Sequence, residues 1–354
     1  MIDLKNYGYT ETEAHEDGLQ PARITAVHRE RYELICRQGA IFGKLKTSEY
    51  YNREPQPFPT VGDFVLIRET PGGDSLILKT LPRESYFSRL EPDGSDIGGY
   101  REQTVAANFD TVFIMQSLNK NFNLRRLERY LILTWQSGAT PVIVLTKVDL
   151  IEDPLPQIKE VESISAGVDI LAVSAVTGAG INKLGKYLQP GKTCVFLGSS
   201  GVGKSSLLNA LMGEDVMVVK AIREDDAQGR HTTTHRQLFT LPGGTHIIDT
   251  PGMRELGMWE RDESIQASVS GVFSDVEAFL GTCKFSDCRH LSEPGCAIRT
   301  AIERGELGQE RWDSYQKLAR EALYAENKLA SLREKSSRNK DIAMWSKQRK
   351  KKIW

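Results

Sequence analysis

Residues 192–206 read Lys192-Thr-Cys-Val-Phe-Leu-Gly198-Ser-Ser-Gly-Val-Gly203-Lys204-Ser205-Ser206, and the fold turns on them. Thr193 to Leu197 is a short apolar, β-favouring run, enough for one buried strand. Gly198 to Ser205 is a complete G-x-x-x-x-G-K-[ST], after which Leu207, Leu208, Ala210 and Leu211 recur at helical spacing. A glycine-rich loop between a strand and a helix N-terminus cradles phosphate: backbone N–H groups turn inward and the helix end adds partial positive charge. Gly198, Ser199, Ser200, Gly201, Val202, Gly203 and Ser206 line such a cradle. Lys204 reaches for the β- and γ-phosphates, and the Ser205 hydroxyl takes one Mg²⁺ position. The expected ligand is a nucleoside phosphate with Mg²⁺.

The 354 residues are enough for two or three domains, each with its own core. A formal net charge of −1 makes any nucleic-acid affinity local rather than global. No stretch approaches the ~18 apolar residues of a membrane span, and the polar N-terminus does not read as a signal peptide. Five cysteines, three of them between 283 and 296, suit a reducing, cytoplasmic compartment.

Upstream of the quoted stretch, apolar runs alternate with helical periods. Strands are expected at 109–115, 140–145 and 168–173, with a helix between the first two on which Leu124, Leu127, Leu131 and Trp135 share a stripe. Such alternation predicts a parallel α/β sheet whose ligands gather at the carboxyl ends of the strands. Two of those ends are Thr146-Lys147-Val148-Asp149 and Ser174-Ala175. In this setting the Asp149 carboxylate matches the N1–H and exocyclic amine of guanine, a pairing adenine lacks. The Lys147 stem would cover the ring, and Ser174-Ala175 would offer a backbone N–H to the guanine oxygen. The nucleotide is therefore read as GTP or GDP.

Downstream, the polar stretch 223–237 has no periodicity and suits a mobile switch loop whose threonines supply a second Mg²⁺ hydroxyl. A hairpin around Pro242-Gly-Gly244 then ends in Asp249-Thr250-Pro251-Gly252. Asp249 is placed to hold Mg²⁺ through water, and the Gly252 N–H to sense the γ-phosphate. Ordinary GTPases carry the phosphate loop first and the base-reading loops last. Here the base-reading loops come first, so the domain is circularly permuted.

The flanking regions have other patterns. Residues 1–20 are a polar, acidic stretch, at most a short helix or a frayed lead-in, and 21–82 alternate in short runs that predict a barrel of five or so strands, OB-like or SH3-like. Residues 1–82 hold 10 Lys/Arg and 12 Asp/Glu, so charge does not decide between an RNA-contacting barrel and one that only docks on its neighbour. The segment 83–107, with Pro92-Asp-Gly94 and Gly98-Gly99, reads as a linker, 108–272 as the permuted GTPase domain, and 273–335 as a zinc-binding domain with helices. In that last domain Cys283, Cys288, His290 and Cys296 offer three thiolates and one imidazole, a closed set for one structural Zn²⁺. Residues 333–352 carry 9 Lys/Arg against 2 Asp/Glu, with Trp345 among them, so the tail at 336–354 is either solvated or a contact for RNA phosphates.

The order TKVD, SA, GSSGVGKSS, GRHTTT, DTPG and CKFSDCRHLSEPGC behind a β-barrel resembles the RsgA (YjeQ/YloQ) family of bacterial permuted GTPases. The resemblance spans about residues 21–320. It implies an N-terminal OB-fold, a permuted GTPase domain and a zinc domain in one monomeric chain. It also implies GTP hydrolysis stimulated by the small (30S) ribosomal subunit during late maturation, with the outer domains gripping 16S rRNA. It further suggests His231 as the residue positioning the attacking water and Thr233 as the Mg²⁺ hydroxyl, with Thr232 and Thr234 as alternatives. Met253 follows Gly252 where Ras-like enzymes use Gln, which implies slow intrinsic turnover. Thr146 replaces the usual Asn, losing an amide that bonds both base and phosphate loop. Two other readings compete: a GTP-dependent RNA-binding switch with incidental hydrolysis, and an ATP-dependent phosphotransferase, against which Asp149 argues.

Overall fold

The computed structural model describes residues 1–10, 18–29, 31–50, 57–70, 72–92, 100–119, 121–216, 236–249 and 265–325. It divides into two compact units, Met1–Gly257 and Met258–Trp354.

In the first unit, the alternating runs near the N-terminus become β1 (Gln20–Val27), β2 (Tyr32–Cys36), β3 (Gly39–Leu45), the one-turn α1 (Thr47–Tyr50), β4 (Phe64–Arg68) and β5 (Ser75–Thr80). They pair in the order β1-β2-β3-β5-β4, and β4 returns to β1, so the sheet closes into a barrel. A register shift between Ile24 and Ala26 bends β1 within this closed sheet. Ala22, Ile24, Leu34, Cys36, Tyr50, Val65, Ile67 and Ile77 fill the interior.

The expected linker at 83–107 is instead a β-ribbon, β6 (Tyr86–Pro92) antiparallel to β7 (Tyr100–Ala107). Turn-forming residues between two short β-favouring runs do not by themselves distinguish paired strands from a linker. Arg83 ties ribbon to barrel, with Nε and Nη2 each 2.7 Å from a carboxylate oxygen of buried Asp63 and Nη1 2.8 Å from Thr104 Oγ1. Burial pushes the Asp63 carboxyl above its ordinary range, against the pull of the guanidinium.

Next come β8 (Thr111–Ser117), α2 (Leu124–Ser137), β9 (Thr140–Thr146), α3 (Leu155–Glu162), β10 (Asp169–Val173), β11 (Thr193–Gly198), α4 (Lys204–Met212), β12 (Gln237–Thr240) and β13 (His246–Asp249). Their order is β10-β9-β8-β11-β13-β12, parallel except for β12. Every residue of β8 and β11 is buried, as expected of strands covered on both faces. On α2 the Asn123 side chain caps the Arg126 N–H at 2.9 Å; Leu127 and Leu131 turn inward, whereas Trp135 is exposed. β12 also pairs with β1 at Gln237 and Ala26, so barrel and parallel sheet share one continuous ladder of eleven strands.

Residues 1–10 are not a frayed lead-in. A 3₁₀ turn over Leu4–Tyr7 is capped by Asp3, and Leu4 and Tyr9 bury against Ile35 and Phe64 of the barrel. Tyr7 stacks on His246 of β13 with centroids 4.6 Å apart, and His246 Nε2 donates to the Asn6 carbonyl at 2.9 Å. Beneath the turn, the Arg23 guanidinium is 1 % exposed and donates to the carbonyls of Gly62, Tyr7 and Asn108. Three carbonyls from three segments converge on one cation, which locks the barrel, the N-terminal segment and the start of the α/β sheet together.

The second unit contains α5 (Ile265–Val272), α6 (Ser274–Glu277), α7 (Ala297–Glu303) and a helix over 309–325. From the last helix Arg311 reaches α5 and α6, donating to the Val272 carbonyl at 2.7 Å and to both carboxylate oxygens of Asp275. The expected boundary at 273 therefore falls inside a packed cluster that begins within α5. Among the described residues no helix is long and apolar enough to cross a membrane.

Candidate nucleotide and metal sites

β11 delivers Gly198 to the end of its strand, and α4 starts at Lys204. A Cβ on Gly198 would lie 2.7 Å from the Met115 carbonyl oxygen, so the loop can leave the sheet here only without a side chain. Gly203, at φ 107°, is the N-cap of α4, and the Leu207 N–H reaches its carbonyl at 2.9 Å. Lys204 folds back over the loop, its Nζ donating to the carbonyls of Gly198 at 2.8 Å and Ser199 at 3.0 Å. Val202 is buried beneath, in the core with Phe113, Phe196, Leu207 and Leu208. Ser199, Ser200, Gly201, Ser205 and Ser206 are half-buried along the cradle.

β9 ends beside this loop and is bonded to it. Thr146 Oγ1 donates to the Val202 carbonyl at 2.6 Å. Lys147, at φ 61°, donates from Nζ to the Gly201 carbonyl at 2.8 Å, and partial burial lowers its pKa. The expectation that Thr146 gives up the tie to the phosphate loop is thus corrected: the β-hydroxyl spans the gap that a longer amide would fill. Asp149 follows in a one-turn 3₁₀ segment and is exposed.

β10 ends at Val173, and the fully buried Ser174 organises the next turn. Its Oγ accepts the N–H groups of Val176 at 3.2 Å and Thr177 at 3.1 Å, while its own N–H donates to the Ala179 carbonyl at 2.9 Å. Ala175 then faces α4 across a recess of about 410 Å³, also lined by Ser206, Asn209 and Ala210. The carboxyl end of the sheet thus joins the Ser-Ala turn to the phosphate-loop helix.

β13 lies beside β11 in parallel register, with Val195 opposite Ile248, and ends at Asp249, which is 5 % exposed. A buried carboxylate one strand from the phosphate loop suits a cation site. Gly252, His231 and Thr233, together with Thr232, Thr234 and Met253, lie outside the described residues, as does the basic tail.

In the second unit the expected metal ligands converge. The thiolate sulfurs of Cys283, Cys288 and Cys296 and a ring nitrogen of His290 all lie within 4.8 Å of one another. His290 Nδ1 is 3.5 Å from Cys283 Sγ, 3.7 Å from Cys288 Sγ and 3.4 Å from Cys296 Sγ. The set could hold one metal ion, and its four donors would close the coordination sphere.

The family model described as RsgA GTPase matches residues 80–259. The small ribosomal subunit biogenesis GTPase RsgA 1 of Listeria innocua is 43% identical over 344 residues, covering 96% of this chain and 95% of that one. The chain belongs to the RsgA family. The crystal structure of YjeQ from Thermotoga maritima superposes with a TM-score of 0.60 at 28% identity, over 86% of this chain and 99% of that one. YloQ, described as a circularly permuted GTPase, shares the fold with a TM-score of 0.55 at 23% identity, over 90% and 99% of the two chains. The RsgA fold accounts for the order of elements: β9 and β10, whose ends carry Thr146-Lys147-Val148-Asp149 and Ser174-Ala175, precede the glycine-rich-loop strand β11 in sequence.

Sequence reasoning missed two parts of these sites. The Thr146 tie depends on a gap that only the folded loop defines. Glu293 draws three backbone N–H groups around His290, and a lone glutamate in a polar loop carries no pattern.

Proposed function

We propose that this chain binds GTP and hydrolyses it in response to the small ribosomal subunit, acting in the biogenesis of that particle. The observation that carries the reading is the pair of bonds from Thr146 and Lys147 to the carbonyls of Val202 and Gly201. They join a Thr-Lys-x-Asp loop to a phosphate loop as guanine recognition requires. The printed name of the Listeria innocua relative supplies the particle.

In this reading the backbone N–H groups of Gly198–Ser206 and the start of α4 bind the phosphates, and Lys204 exchanges its two carbonyl partners for phosphate oxygens. Asp149 selects guanine, Lys147 covers the ring and the Ser174-Ala175 turn contacts the base oxygen. Ser205, Thr233 and Asp249 would hold Mg²⁺, which neutralises charge developing on the phosphates. The buried position of Asp249 beside β11 suits that task. His231 orients the attacking water, and Gly252 contacts the γ-phosphate. Met253 has no group to orient water, so hydrolysis is slow until the particle stimulates it.

Zn²⁺ would occupy the Cys283, Cys288, His290 and Cys296 set. Bonds of 2.3 Å to sulfur and 2.0–2.1 Å to nitrogen in a tetrahedron place S and N about 3.5 Å apart, close to the spacings here. With no open position the ion is structural. The barrel, whose strand order β1-β2-β3-β5-β4 suits an OB-fold, and the helical zinc domain would contact 16S rRNA. The chain would work as a monomer in the cytoplasm.

The test is steady-state GTP hydrolysis with small subunits, large subunits and neither. Stimulation by small subunits alone is expected, and equal rates in all three would refute the reading. His231→Ala should lose most of the stimulated rate and keep GTP affinity; unchanged stimulated turnover would remove His231 from the mechanism.

A further inference from the structure

The loop from Cys283 to Cys296 has no regular secondary structure, yet it must aim four donors at one point. The cysteines at its ends are held by neighbours. Cys296 is buried at the start of α7, and Cys283 Sγ accepts the Ala297 N–H at 3.3 Å. The Lys284 N–H meets the Gly295 carbonyl at 3.0 Å and closes the base of the loop. His290 lies mid-loop, away from both held ends. It sits at φ +60°, a left-handed conformation that an L side chain adopts at a cost of about 1 kcal/mol or more.

What surrounds it is the carboxylate of Glu293. Oε1 accepts the Arg289 N–H at 3.1 Å, and Oε2 accepts those of Leu291 at 2.9 Å and Ser292 at 3.0 Å. The three amides lie on both sides of His290, so one anionic group pins the chain entering and leaving the left-handed residue. A turn with converging N–H groups is an anion-binding nest, and here the anion is supplied from within the loop. The residue's own backbone N–H, together with these three, pulls the Glu293 pKa down to about 2, so the carboxylate is charged across the physiological range. The imidazole ring itself is met edge to face by Trp312 at 5.3 Å. Carboxylate and indole together leave Nδ1 directed at the three sulfurs.

We propose that Glu293 is the positioning residue of the metal centre, fixing the left-handed turn that aims His290 at the three thiolates and so setting metal affinity without touching the ion. This rests on the reading that the four ligands hold a metal. An outer residue that orients a ligand typically changes affinity by about 10–100-fold. The acting group is the backbone of residues 289–292, so the effect travels only through His290.

The test uses the full chain and its Glu293→Ala, Glu293→Gln and His290→Ala variants, loaded with Zn²⁺ or with Co²⁺ as a spectroscopic probe. Zn²⁺ affinity is read by competition with a chromophoric chelator, and the Co²⁺ visible bands report whether nitrogen remains among the ligands. Expected results are a loss of about 10–100-fold in Zn²⁺ affinity for Glu293→Ala, a smaller loss for Glu293→Gln, and Co²⁺ bands for Glu293→Ala displaced toward those of His290→Ala. The double variant should be no weaker than His290→Ala alone, because Glu293 acts through that residue. Undiminished Zn²⁺ affinity in Glu293→Ala overturns the proposal, as does a loss that adds fully to that of His290→Ala. A wild-type chain that takes up neither Zn²⁺ nor Co²⁺ overturns the metal reading itself, a different result from a wild-type chain that binds and a variant that binds equally. GTP affinity, measured alongside, should be the same for all forms, since the first unit carries the nucleotide loops.

Discussion

On acidification from about pH 7 to about pH 4, His246 should take up a proton in the unfolded chain long before it does so in the folded one. Its folded-state pKa is pushed down to about 4 from 6.5, chiefly by burial, with the nearby Arg23 charge adding to the effect and the Asn6 carbonyl opposing it. The Asn6 carbonyl can only accept, so Nε2 carries the proton and Nδ1 accepts from the Thr240 hydroxyl at 3.0 Å. Charging the ring would put the second proton on Nδ1, against the Thr240 hydroxyl that now donates to it, in a ring buried under Tyr7. Between these two pKa values the unfolded chain binds more protons than the folded one, so stability falls as pH falls. The loss starts near pH 6.5, is complete below about 4, and totals ~3 kcal/mol. That is a large share of the 5–15 kcal/mol that typically holds a domain together. The perturbation that isolates it is His246→Gln, which keeps a donor for Asn6 and does not titrate. Urea midpoints at stepped pH should converge for the two proteins on the acid side, with the wild type steeper between about 6.5 and 4. Nuclear magnetic resonance of the imidazole supplies the direct reading. A ring that titrates near 6.5, or parallel pH profiles for the two proteins, would refute the reasoning.

Two further outcomes follow from single bonds. Thr146→Val keeps shape but leaves the buried Val202 carbonyl without its donor, a penalty of about 1–3 kcal/mol; isothermal titration should show GTP binding weakened accordingly, with Thr146→Asn restoring most of it. Gly62 sits at φ +90° with an added Cβ only 2.0 Å from the Ala107 carbonyl oxygen, so Gly62→Ala should destabilise by at least about 2 kcal/mol in urea unfolding.

The parallel sheet was legible because its strands are buried on both faces and therefore appear as unbroken apolar runs, each ending in the polar residues that line a site. The strand–loop–helix at 193–212 and the convergence of Cys283, Cys288, His290 and Cys296 were legible because both are marked by fixed residue types at fixed spacing. Other features leave no such trace. The ribbon at 86–107 looked like a linker because its turn residues stand out more than its weakly alternating strands. The N-terminal segment looked frayed because its few apolar anchors, Ile2, Leu4, Tyr7 and Tyr9, show no period, and the atoms that Arg23 and His246 seek are backbone carbonyls, which every residue has. Thr146, Lys147, Asp149, Ser174 and Ala175 all fall among the described residues, whereas His231, Thr233 and Gly252 remain readable only from sequence.

The contact between His246 and Asn6 spans 240 residues of chain. During synthesis the barrel strands emerge early, and β8, β9 and β10 follow with β8 lacking its inner neighbour until β11 arrives. β13 comes later still, so the seam under Tyr7 is among the last parts of the first unit able to form. Contacts of such long sequence separation close slowly, and a chain waiting for them exposes unpaired strand edges. The first ten residues must therefore stay available through most of translation. Whatever captures them early, whether a fused partner or a chaperone, delays the step that seats the barrel on the α/β sheet.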